Sequence, residues 1–158
     1  MTGARDEDVG LKQVKAIEEL TGPLSPTQKL RLAGEVIATY VRIRWTLARG
    51  KGVPETVEMI RAAVPPGEGE RRDEQAQRLA GLRLGRAVGR TLGVLPADAK
   101  CLIRSLVLTS LLARRGIASS VVIGVKTEPE FGAHAWVESG GTPLLPPGEG
   151  EFTRLVEI

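Results

Sequence analysis

The chain has 158 residues, 42% hydrophobic and 26% charged, with a net charge of +3. That is enough for one domain with a real core and a small helical annex. No stretch carries the eighteen or so uninterrupted apolar residues of a membrane span. The five aromatics, Tyr40, Trp45, Phe131, Trp136 and Phe152, are too few and scattered for a nucleic-acid stacking platform.

The mild basic balance, mostly arginine, permits acidic partners without arguing for nucleic acid. A single cysteine excludes an internal disulfide framework. The N-terminus is acidic and polar, unlike a signal peptide, so the expected location is cytoplasmic.

Residues 1–23 read either as a short helix with Val14, Ile17 and Leu20 on one face, stopped by Gly22 and Pro23, or as a frayed tail. Ser25 before Pro26 is a favoured helix start. Leu32, Val36, Tyr40, Ile43 and Leu47 then recur at helical spacing, and Leu30, Ala33, Ile37 and Val41 are expected to widen that face. Arg31, Glu35, Arg42 and Arg44 form the solvated side. Gly50 and Gly52 end the helix, and Pro54 opens a shorter one through Val57, Ile60 and Ala63.

The string at residues 65–70 is a loop, and it recurs at 146–151 with unrelated flanks, which marks compositional bias, not a repeat architecture. Residues 71–93 read as a basic helix with an inner face of Leu79, Leu82, Leu84, Ala87 and Val88. Its arginines, Arg78, Arg83 and Arg86 among them, are either a solvated face or a docking face for an acidic peptide or partner.

Residues 99–115 form a helix apolar nearly all round, which predicts a buried one. Asp98 is its expected N-cap and Gly116 its C′ residue, with Arg114 and Arg115 at the negative end of the macrodipole. The β-branched run at 120–126 and the segment 131–138 read as strands. Gly140 and Gly141 make a hairpin turn into 142–145, and 152–158 adds an edge strand. Helices first and strands last predict an α+β fold, the buried helix lying on an antiparallel sheet.

Cys101, the only cysteine, falls in the first turn of the buried helix, and His134, the only histidine, falls on a strand. A helix N-terminus favours a thiolate and supplies backbone N–H donors for an oxyanion. A strand beside that terminus is able to present the imidazole as general base and then acid. The bland alternatives are a small core cysteine and a packed histidine. One Cys and one His fall short of a zinc ligand set. No G-x-S-x-G is present, and Ser105 would lie mid-helix.

Residues 101–106, the helix end at 113–117, Val122 to Val125 and the block 133–138 closely resemble the transglutaminase-like leader peptidases of lasso-peptide biosynthesis. The upstream run from Leu24 to Arg44 is similar to their helical N-terminal part. The resemblance implies a helical part at 24–95 and a papain-like cysteine protease core at 96–158, catalytic residues Cys101 and His134, and no cofactor or metal. The implied reaction removes the leader from a ribosomally made precursor. The implied partners are the precursor peptide, a separate leader-recognition protein and the ring-closing cyclase, with no nucleic acid and no membrane.

Such enzymes usually carry an Asp about a dozen residues after the histidine. This chain has no Asp after Asp98, and Pro146 stands near that place. Glu149, or Glu151 as its substitute, is the candidate orienting acid; Glu138 lies too far along the histidine's own strand. Trp136 is expected to wall the site, and Arg78, Arg83 and Arg86 to receive the leader or its carrier. Two other readings stay open: a non-catalytic peptide- or protein-binding module with a degenerate protease fold, and acyl transfer to an amine by the same residues.

Overall fold

The computed structural model describes residues 22–63, 74–94, 100–128, 130–146, 148 and 151–158. Residues 1–31 form one compact unit and residues 32–158 a second. The short helix expected around Val14, the loop at 65–70 and the Asp98 cap lie outside the described residues.

Helix α1 spans Pro26–Ala48. Its start is a reciprocal cap: the Gln28 N–H donates to Ser25 Oγ at 3.2 Å, and the Ser25 N–H donates to Gln28 Oε1 at 2.9 Å. Pro26 at the first position has no N–H left to satisfy. Within the second unit, α1 buries Val36, Thr39 and Ile43. Ile37 and Val41 do not widen that face as expected. They stand exposed beside Trp45, and Leu30, earlier in the helix, is exposed too. A hundred degrees of turn per residue carries positions 37, 41 and 45 round to a second, outer stripe.

Helix α2 covers Val53–Ala62, with Glu55 reaching back to the Gly52 N–H. Helix α3 covers Glu74–Gly93 and buries Gly81, Leu84, Gly85, Val88 and Leu92. Leu79, Leu82 and Ala87, expected inside, are half-buried.

Helix α4, Lys100–Ala113, is the centre of the core. Ile103, Leu106, Val107, Leu108, Leu111 and Leu112 are all buried, and α2 and α3 pack against it from the helical side. Its end is a Schellman turn: Ile117 N–H bonds Leu112 O, Gly116 N–H bonds Ala113 O, and Gly116 has φ +66°. Arg115 donates to Leu111 O and forks onto Glu35, tying the end of α4 to α1.

The sheet is antiparallel, in order β3-β2-β1-β4: β1 Ser120–Lys126, β2 Gly132–Ser139, β3 Thr142–Pro143 and β4 Thr153–Glu157. Gly140 and Gly141, both at positive φ, make the expected hairpin turn between β2 and β3. Strand β3 stops at Pro143; the Leu144 N–H still donates to Val137 O of β2 at 2.8 Å, and the side chains of Leu144 and Leu145 are buried in the core. Leu144 fits there because α3 offers it two glycines: a Cβ on Gly81 would meet Leu144 Cδ1 at 2.9 Å, and one on Gly85 would collide with the Leu144 carbonyl oxygen. Helix α4 lies against β2 and β1, so the α+β layout expected from the sequence is the one the chain adopts. Among the described residues no helix is long and apolar enough to cross a membrane.

Candidate active site

Cys101 is the second residue of α4 and is half-buried, whereas Ile103 two residues on is 4% exposed. The thiol therefore sits where the buried rod reaches the surface. The first turn of a helix is also where backbone N–H groups lack intrahelical partners. Ser105 donates its hydroxyl to Cys101 O at 2.9 Å, so it caps a carbonyl and is not available as a nucleophile.

His134 is the third residue of β2, the strand against which α4 packs. Helix and strand thus bring the two segments carrying the thiol and the ring into one contact layer. Among the described residues no hydrogen bond joins Cys101 Sγ to the ring; catalytic hydrogen bonds are commonly long in ligand-free enzymes and tighten on binding substrate.

What surrounds the imidazole is well defined. Side chains alternate along a strand, so His134, Trp136 and Glu138 share a face. The His134 and Trp136 rings stack at 6.1 Å with 18° between planes, and Phe152, entering β4, tilts against both. Space for the cluster comes from Gly124, which pairs with His134 across the ladder. A Cβ there would meet Phe152 and the Trp136 ring at 3.0 Å. Trp136 is buried and stacks against the His134 ring.

The carboxylate of Glu138 is also nearly buried and is fully engaged. Its Oε1 accepts the Trp136 indole N–H at 2.7 Å, and Arg154 Nη2 donates to Oε1 and Oε2 at 2.8 and 3.0 Å. It is thus out of play as a partner for His134. Of the two candidate orienting acids, Glu149 lies outside the described residues and Glu151 is exposed. The ring nitrogen Nε2 instead lies 3.0 Å from the carbonyl oxygen of Pro146. Gly148, at φ +89°, brings the same loop against the ring: a Cβ there would meet His134 Cδ2 at 3.1 Å and Phe152 at 3.0 Å. A backbone carbonyl has no signature in a residue string, and Gly148 reads there only as loop composition.

Of the three arginines on α3 singled out above, Arg78 is exposed, while Arg83 and Arg86 are half-buried and hold partners of their own.

The model of the transglutaminase-like superfamily matches residues 37–157, from the middle of α1 to the end of β4. The chain belongs to the transglutaminase-like superfamily. That superfamily is related to papain-like cysteine proteases and includes cysteine peptidases. Searches of curated proteins and of solved structures give no match. The superfamily match takes in both Cys101 and His134, together with every strand of the sheet.

Proposed function

We propose that this transglutaminase-like protein is a cysteine peptidase in which Cys101 is the nucleophile and His134 the base, and that its substrate is the leader–core junction of a lasso-peptide precursor. The observation carrying the reading is that the helix opening with the only cysteine packs on the strand holding the only histidine. The leader specificity rests on the sequence resemblance at residues 101–106 and 133–138.

In this mechanism His134 takes the proton of Cys101 Sγ, and the thiolate attacks the scissile carbonyl carbon. The N–H groups of the first turn of α4 hold the oxyanion as the tetrahedral centre forms. His134 then returns the proton to the departing amine, leaving a thioester on Cys101, and water hydrolyses it with His134 again as base. The free amine so made is what a ring-closing cyclase needs. A separate leader-recognition protein would deliver the precursor, with Arg78, exposed on α3, available for an acidic contact.

The test is to incubate precursor and leader-recognition protein with wild-type, Cys101→Ala and His134→Ala chains and weigh the products. Cleavage at one junction by the wild type, lost in both variants, is expected; undiminished cleavage by either variant overturns the assignment. A product mass retaining the leader joined to an added amine would mark acyl transfer instead. A Cys101 thiol that iodoacetamide labels no faster than free cysteine, in a chain that still binds precursor, would mark a non-catalytic binding module.

A further inference from the structure

We propose that the Pro146 carbonyl, presented by the turn at Gly148, is the positioning group for His134, so that the ring is oriented by a neutral backbone acceptor and by no carboxylate. This rests on the peptidase reading for its consequence, though not for its geometry.

A carbonyl oxygen has no proton to give, so across the 3.0 Å contact Nε2 donates. Neutral imidazole has one N–H, and with that proton on Nε2 the lone pair of the base is on Nδ1. The ring is held against Trp136, on which it stacks, and Phe152, which tilts against both. The loop touches the Cγ–Cδ2 edge next to Nε2, which places Nδ1 on the opposite edge. When Nδ1 accepts the thiol proton, the Nε2–H···O bond gains a charged donor and strengthens. One carbonyl therefore selects the tautomer, fixes the ring and favours the imidazolium. The carboxylate closest along the strand, Glu138, is held by Trp136 and Arg154.

Gly148 makes this possible twice over. Its positive φ is one that L side chains rarely adopt, and a Cβ would press on both His134 and Phe152. Gly148→Ala should thus lift the Pro146 carbonyl off Nε2 without touching the thiol.

Because His134 is the only histidine, its ring N–H can be followed without ambiguity in the full chain labelled with 15N-histidine. The wild type is expected to show a downfield Nε2–H resonance protected from exchange with water. Gly148→Ala should lose it and label with iodoacetamide at least about tenfold more slowly at Cys101, part of the roughly 10²–10⁴-fold that a positioned acid–base group contributes. Glu149→Gln and Glu151→Gln should keep the resonance. Its absence from the wild type, its survival in Gly148→Ala, or its loss in either glutamine variant overturns the proposal. The wild-type spectrum decides the matter even if Gly148→Ala does not fold. A protected resonance beside an inert thiol sinks the peptidase reading alone, whereas a reactive thiol without the resonance sinks only this one.

Discussion

Glu138→Ala removes the acceptor for two donors of very different exposure, and the structure separates their contributions. The Trp136 indole N–H is buried with its ring, which is 4% exposed, and among the described residues its acceptor is Glu138 Oε1 at 2.7 Å. Leaving such a donor unpaired costs about 1–3 kcal/mol. The Arg154 side chain is 55% exposed, so on losing its partner it is rehydrated, and its share is about 0–1 kcal/mol. The sum is about 1–4 kcal/mol, a large part of the roughly 5–15 kcal/mol that holds a domain folded. For a chain of this length that lowers the melting temperature by about 2–16 °C. Urea denaturation of wild type, Glu138→Ala, Trp136→Phe and the double variant isolates the indole share, because phenylalanine has no N–H to strand. The cost of Glu138→Ala should be at least about 1 kcal/mol smaller in the Trp136→Phe background. Additivity within about 0.5 kcal/mol would refute the proposed pairing as a stabilising contact.

Other substitutions test the packing. Leu144→Ala should cost about 2–5 kcal/mol, read as a lower urea midpoint at unchanged slope, since Leu144 fills the groove beside Gly81; a cost below about 1 kcal/mol refutes the seam. Gly34→Ala and Gly89→Ala should each raise stability by about 0.5–1 kcal/mol, because a Cβ meets nothing within 4 Å at either helical position. A fall in melting temperature at either site would count against the packing described for that helix. Glu35→Ala should cost no more than about 1 kcal/mol and less in high salt, the Glu35–Arg115 pair being about one-third exposed on both sides. A salt-independent penalty twice that size contradicts it.

The burial of α4 was legible because Ile103, Leu106, Val107, Leu108, Leu111 and Leu112 fall on most sides of the helix, a pattern that burial explains. Its Gly116 end, the Ser25 start of α1 and the Gly140-Gly141 turn were equally plain, since each depends on local backbone chemistry. The outer stripe of α1 was misread because Ile37 and Val41 are apolar residues one turn apart whichever side they face; only the packing partners of Val36 and Ile43 tell the two faces apart. The histidine's environment was half legible. Trp136 follows from alternation along β2, while Phe152, Gly124 and Gly148 come together only through the β1–β4 pairing and a loop return. Pro146 marked the right place in the chain, but the acceptor there is its backbone oxygen, which every residue has.

The seam between α3 and the exit of β3 reaches further than core packing. Gly85 admits the Leu144 carbonyl, Leu144 and Leu145 are both buried, and the next residue is Pro146. The anchor of the imidazole's acceptor is thus a missing side chain on a helix that contributes no group to the chemistry. A methyl group added at Gly85 would push on the root of that loop, so the Pro146 carbonyl keeps its place against His134 only while a glycine far upstream stays bare.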